Sequence, residues 1–140
     1  MFPWRPETVH PLFVHFPIAL LSTGWLFDVM GTFLKKQSLR DSGWWCLVFG
    51  VVSTLFTIPT GFLADRVTGH MADPFPLYNT HGVLQITSSV LFLILLVWRW
   101  KAQCRLPEKP LLYLYFGIGG LAVVLLFYGG HLGAQLAGEI

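Results

Sequence analysis

The sequence predicts an all-α protein, an integral membrane antiparallel four-helix bundle. Of the 140 residues 54% are hydrophobic and 11% are charged, whereas a soluble domain carries about a quarter charged residues. Four stretches reach the roughly 20 apolar residues that cross a bilayer, and short connections favour antiparallel neighbours. We expect one domain over 1–140, in contact with the lipid bilayer, with spans at about 11–33, 44–64, 78–98 and 111–137.

The N-terminal residues do not resemble a cleaved signal peptide, and the cysteines do not form a redox or haem-attachment motif. Pro3 and Glu7 precede the first span, unlike the basic region and short apolar core of a cleaved signal. Cys46 and Cys104 stand alone, without CxxC or CxxCH. Neither a thiol redox pair nor covalent haem attachment is therefore indicated.

The positive charges predict the orientation. Seven of the nine Lys and Arg residues lie around the first and third connections, and only Arg5 and Arg66 belong to the other side. Short loops rich in Lys and Arg stay in the cytoplasm. We therefore expect a multi-pass protein of the bacterial inner membrane, with both termini and the 65–77 loop in the periplasm.

Helical spacing indicates which faces of the spans point inward. Small residues form a stripe on the second span (Gly50, Thr54, Thr57 and Gly61). On the third span His81, Gln85 and Ser88 share one face. Such stripes are typical of close helix packing, although the glycines and threonines equally suit a flat cofactor. Pro17 leaves the carbonyl of Phe13 without its usual helical donor, and we expect Asp28 to pair with Lys35 or Arg99.

All five histidines fall in the outer half of the predicted bundle. His15, His81 and His131 come from three different spans at similar depth, because a helix rises about 1.5 Å per residue. Ionisable side chains inside a membrane usually face the protein interior. The sequence therefore predicts a shared site made by these three histidines, with hydrogen bonding between helices as the alternative.

A neutral imidazole binds haem iron, zinc or copper. We expect one b-type haem, with axial ligands drawn from His15, His81 and His131. A Zn or Cu site is the alternative, with His10 or Asp65 as a further ligand. Gln85 and Gln135 each follow a histidine by four residues and are therefore expected to orient the ligands. Asp65 is a further residue that we expect to orient them.

The segment HPLFVHFPIAL (10–20), with Asp28 and Gly31 after it, resembles the bacterial membrane family called domain of unknown function 2231. Further points of resemblance along the chain are Thr60-Gly61, Asp65, His81 and Gly129-Gly130. Members are four-helix membrane proteins, sometimes fused to c-type cytochrome domains. The resemblance implies the same fold and a place in respiratory electron transfer.

We therefore predict a haem protein active in electron transfer near the outer face, with a cytochrome or a quinone as redox partner. A Zn or Cu protein is the second prediction, and a non-catalytic accessory subunit of a respiratory or photosynthetic complex is the third. As a partner we also expect a second copy of the chain, in a homo-oligomer, or a larger complex. Phosphate loops, dinucleotide motifs and hydrolase motifs are absent from the sequence. The basic loops need no nucleic acid to explain them, since they follow from topology.

Overall fold

The computed structural model describes residues 6–68 and 81–136, with side chains described for 8–64 and 81–135. This part of the chain forms four helices and no strand: α1 (Pro6–Phe33), α2 (Gln37–Thr68), α3 (His81–Lys101) and α4 (Leu111–Leu136). Each helix is long and apolar enough to cross a membrane. The predicted all-α membrane bundle is confirmed.

Three helices extend beyond the predicted spans: α1 begins at Pro6, before residue 11, and α2 and α3 are longer as well. The second span was predicted from residue 44, but α2 begins at Gln37, and α3 continues past residue 98 to Lys101. Hydropathy finds only the apolar part of a helix, whereas backbone hydrogen bonding continues into the interface. Residues 78–80 of the predicted third span lie outside the described residues.

The bundle consists of two hairpins. Helix α1 packs along α2 and α3 packs along α4, with fewer contacts between α2 and α3 and between α1 and α4. Helices α1 and α3 therefore lie diagonally across the bundle. We call the end where α1 and α3 begin the histidine end. The opposite end, formed by residues 34–36 and 102–110, is called the arginine end.

The small-residue stripe of α2 packs against α1. A Cβ atom on Gly50 would lie 2.5 Å from Leu21 Cδ2, so only glycine permits this approach. The Thr57 hydroxyl lies 3.3 Å from the carbonyl oxygen of Phe13 and 3.0 Å from that of Ser53 in its own helix, and it shares its one hydrogen between them. The Phe13 carbonyl is the one that Pro17 leaves without a donor. The stripe therefore serves helix packing, the first of the two alternatives.

The central glycines of α4 accommodate a side chain of α1. The Trp25 indole N–H donates to the carbonyl oxygen of Phe116 at 3.1 Å, and the indole lies against Gly119 and Gly120. A Cβ atom on Gly119 would overlap the ring. This contact joins the two hairpins, and it uses space that the sequence also suited to a flat cofactor.

Candidate histidine site

The structure places two imidazoles next to each other at the histidine end. His10 of α1 and His81 of α3 have ring centroids 6.1 Å apart, with ring planes inclined by 75°. Both side chains are half-buried. Because α1 and α3 belong to different hairpins, each hairpin contributes one histidine to the pair.

Helix α2 holds the His10 ring. A Cβ atom on Gly61 would lie 3.0 Å from His10 Cε1, so the ring rests on the bare backbone of Gly61. His10 Nδ1 lies 3.3 Å from the Thr60 hydroxyl oxygen. That hydroxyl has one hydrogen, which faces the carbonyl oxygens of Phe56 at 2.8 Å and Thr57 at 3.0 Å. Thr60 therefore accepts from His10, and Nδ1 carries the proton.

Helix α4 holds the His81 ring in the same way. His81 Nδ1 lies 2.6 Å from the carbonyl oxygen of Gly129. Since a carbonyl only accepts, Nδ1 carries the proton. A Cβ atom on Gly133 would lie 2.6 Å from His81 Nδ1, so this ring also rests on a glycine.

The two hydrogen bonds fix the chemistry of the pair. In neutral imidazoles with the proton on Nδ1, the Nε2 atom carries the lone pair. An Nδ1–H bonded to an oxygen acceptor is the usual arrangement of a histidine that binds a metal, because the bond fixes the ring and raises its basicity. With the proton on Nδ1, Nε2 is the nitrogen through which either ring would bind a metal.

His15 and His131 do not join this pair. Both side chains are exposed on the surface of the bundle. His15 Nδ1 donates to the Pro11 carbonyl of its own helix, and His131 Nε2 lies 3.3 Å from the Gln135 amide nitrogen of the same helix. The expected meeting of His15, His81 and His131 is thus replaced by a meeting of His10 and His81, since depth alone does not determine which side of a helix a residue occupies.

Of the two glutamines expected to orient the histidines, one lies beside its histidine and the other does not. Gln135 lies beside His131, as its spacing suggested. Gln85 turns away from His81, and its amide donates to the carbonyl oxygen of Leu126 at 3.0 Å. The side chain of Asp65 lies outside the described residues, as does His70.

Nothing among the described residues resembles a compact metal centre. Across 8–64 and 81–135, no three His, Cys, Asp or Glu side chains lie together in a way that could hold a metal ion. Tetrahedral Zn sites take three or four protein ligands. The Zn or Cu site therefore stays a prediction, without support from the described side chains.

Sequence reasoning missed Thr60, Gly61, Gly129 and Gly133 as partners of the histidines. A signal was present, because Gly61 and Gly133 are the small residues near the histidine end of α2 and α4. A bulky ring at one level of a helix pair needs a small residue opposite. That requirement pairs each glycine with an imidazole once the neighbouring helices are known.

A second polar cluster, the arginine cluster, lies at the other end. Arg99 of α3 is 1% exposed, and its Nη1 lies 2.8 and 2.7 Å from the two carboxylate oxygens of Asp28 in α1. Its Nη2 donates to the carbonyl oxygen of Arg40 at 2.7 Å, and its Nε donates to that of Cys104 at 3.2 Å. Of the two partners expected for Asp28, the structure therefore selects Arg99 over Lys35.

All four helices contribute to the arginine cluster. The Tyr115 hydroxyl of α4 lies 3.5 Å from Asp28 Oδ2. The guanidinium carbon of Arg99 lies 5.6 Å from the ring centroid of Trp44 in α2. Gly43 contacts the Asp28 carboxylate so closely that a Cβ atom there would overlap it. The cluster is a fully paired anchor that fixes the helices at this end.

These features define a four-helix membrane protein with paired imidazoles at one end and a buried ion pair at the other. The family model described as "Predicted membrane protein (DUF2231)" matches residues 6–140. The chain belongs to this family, as the resemblance at residues 10–20 predicted. No curated protein and no solved structure matches it.

Proposed function

We propose that the protein binds one b-type haem at the histidine end and takes part in electron transfer there, with His10 and His81 as the residues that would hold it. The observation that carries the proposal is the pair itself. One imidazole comes from each hairpin, and each has a hydrogen bond at Nδ1 and packs on a glycine. The proposal keeps His81 from the predicted ligand set and replaces His15 and His131 by His10.

The two rings lie close to each other between the hairpins. Their centroids are 6.1 Å apart, with one ring on α1 and the other on α3. Bundles commonly build cofactor sites from facing helices. A flat group between the hairpins would receive one ligand from each of them.

Bound haem would supply one-electron chemistry. The chain's own residues hold the ligands. Thr60 and the Gly129 carbonyl accept from Nδ1 of the two imidazoles and so fix the orientation of both rings. Gly61 and Gly133 leave room for the rings. These contacts favour a fixed ligand pair over two freely rotating side chains.

We further propose that the histidine end faces the periplasm of a bacterium, with the chain in the inner membrane. At the arginine end Arg99 is buried and Arg40 is half-buried, but five other cations near this end are exposed: Lys35, Lys36, Lys101, Arg105 and Lys109. Exposed Lys and Arg in short connections favour the cytoplasmic side. A cytochrome or a quinone at the outer surface would then be the redox partner.

The absorption spectrum of the purified protein tests the haem proposal. After expression under haem-sufficient conditions we expect a Soret band, which His10→Ala and His81→Ala each abolish or shift because each removes one of the two residues that would hold the haem. His15→Ala and His131→Ala are the matched controls, and both should leave the spectrum unchanged.

The outcome against the proposal is equally clear. Colourless wild-type protein would overturn it, and so would a spectrum that depends on His15 or His131 and not on His10. Because His81 also joins α3 to α4, thermal unfolding of each variant is measured in parallel. A variant that is folded and has lost its haem supports direct ligation.

One observation favours a second candidate, a non-catalytic accessory subunit of a larger membrane complex. His81, Gln85 and Ser88 all donate to carbonyl oxygens of α4, which is also what a purely structural histidine would do. In that case the protein is colourless. Affinity purification from native membranes then recovers it together with its partner subunits.

A further inference from the structure

A pocket of about 510 Å³ opens at the arginine end, away from the histidines. It lies between the start of α2, the end of α3, the connection 102–110 and the start of α4. Its size is within the range of small-ligand sites, about 300–1,000 Å³. The haem proposal makes no use of it.

Three arginines line the pocket, and two of them have no carboxylate partner. Arg99 is fully occupied by Asp28 and two backbone carbonyls. Arg40 is anchored by its Nε, which donates to the carbonyl oxygen of Gly31 at 3.3 Å. Asp28–Arg99 is the sole ion pair within residues 8–64 and 81–135. Neither Arg40 nor Arg105 therefore forms a direct ion pair within these residues, although the charge of Arg40 also acts on Asp28.

The remaining lining supports an anion with an apolar neighbour. Glu108 is the one carboxylate that lines the pocket, and its side chain is exposed. Leu106, Pro107 and Leu112 provide apolar surface beside the arginines. A guanidinium group binds phosphate through two parallel hydrogen bonds. Basic pockets between membrane helices are typical sites for phosphorylated head groups.

We propose that this pocket binds a phosphate-bearing anion through Arg40 and Arg105. Their terminal amino groups donate to the phosphate oxygens, while Arg99 remains paired with Asp28 and keeps the wall of the pocket rigid. An anionic phospholipid and free phosphate share this chemistry. The inference is independent of the haem proposal, since it involves neither histidine.

Binding is measured by native mass spectrometry of the purified full-length protein released from detergent micelles. The probes are phosphatidylglycerol, phosphatidylcholine and inorganic phosphate. We expect one phosphatidylglycerol to be retained in preference to phosphatidylcholine. R40Q/R105Q should weaken it by roughly tenfold or more, because a hydrogen bond to a charged group contributes about that factor.

The matched control is K36Q/K101Q, which removes the same charge from exposed lysines outside the pocket lining and should leave binding unchanged. R105Q alone must also weaken binding, and since Arg105 is exposed this variant keeps the fold. E108Q should strengthen binding because it removes the opposing carboxylate. That direction distinguishes an anion from a cation as the ligand.

The probes also separate the two sources. Retention of phosphatidylglycerol that millimolar inorganic phosphate does not displace supports a lipid head group, whereas binding of inorganic phosphate alone, lost in R105Q, supports a soluble anion. Absence of binding for all three probes overturns the proposal. Equal weakening by K36Q/K101Q and R40Q/R105Q also overturns it, since the pocket would then contribute no more than general surface charge.

Discussion

A charged side chain in the interior of a membrane bundle is tolerated only when its partners are complete. Arg99 meets this condition, because Asp28 accepts from Nη1 and backbone carbonyls accept from Nη2 and Nε. The pair adds no hydrophobic stabilisation of its own, and desolvation offsets much of its attraction. Its main effect is to penalise any helix arrangement that separates the two residues.

Asp28→Asn should therefore destabilise the protein strongly, by about 3–5 kcal/mol, because it leaves the buried Arg99 guanidinium without a counter-charge. Asp28→Leu with Arg99→Met should cost less than this single change, since it removes both charges together. Unfolding by sodium dodecyl sulfate in mixed micelles, followed by circular dichroism, measures both.

Asp41→Asn is the control for that experiment. Asp41 is exposed and accepts a hydrogen bond from Gln37 in its own helix, so its loss should fall within about 0.5 kcal/mol of wild type. If Asp28→Asn and Asp41→Asn are equally mild, the arginine cluster does not anchor the bundle.

At the level of the elements, three polar side chains join α3 to α4 at successive turns. His81, Gln85 and Ser88 donate to the carbonyl oxygens of Gly129, Leu126 and Ala122, at 2.6, 3.0 and 2.7 Å. The acceptors step back along α4 as the donors advance along α3, as antiparallel helices require. This ladder fixes the register of the second hairpin.

Ser88→Ala should cost about 0.6 kcal/mol and at most about 1.7 kcal/mol, the average and the maximum for hydrogen bonds between membrane helices. Ser88 is completely buried, and its removal leaves the extra acceptor capacity of Ala122 unused. Ser89→Ala is the matched control, because that hydroxyl donates to Gln85 within its own helix and should change stability little. Equal costs in the same detergent unfolding assay would mean that the ladder does not hold the hairpin.

The sequence predicted the elements well and the site only in part, and helix rotation explains the difference. Four apolar stretches determine four helices, and the i, i+4, i+7 spacing placed His81, Gln85 and Ser88 on one face. The predicted histidine site used depth alone. His10 and His15 are five residues apart, which is about 140° around a helix. They therefore face different sides, and packing against Gly61 decides which one points inward.

The same argument applies to α4. Gly129 and Gly133 both contact residues of α3, and His131 lies between them, about 200° around the helix from Gly129. It must therefore point away from α3. This face was not readable from the sequence, because the contacts that select it come from another helix.

Across the whole molecule the two ends differ in chemistry. The histidine end combines two half-buried imidazoles with exposed His15 and His131, whereas the arginine end combines a buried ion pair with exposed Lys and Arg side chains. The exposed charges at the arginine end therefore favour one orientation of the bundle in the bilayer. Which end faces the cytoplasm determines which compartment would supply the proposed redox partner and which leaflet reaches the pocket.

Cys104 provides a direct test of this orientation. It is exposed in the 102–110 connection, whereas Cys46 is half-buried within a span. We expect a membrane-impermeant maleimide to leave Cys104 unlabelled in intact cells and to label it in inverted vesicles. Cys104→Ser gives the background from Cys46. Placing a cysteine at the exposed position Thr8 in that Cys104→Ser background should reverse the pattern, with labelling in intact cells. Labelling of Cys104 from outside would instead place the arginine end, and the pocket beside it, in the periplasm, and would move the histidine pair to the cytoplasmic side.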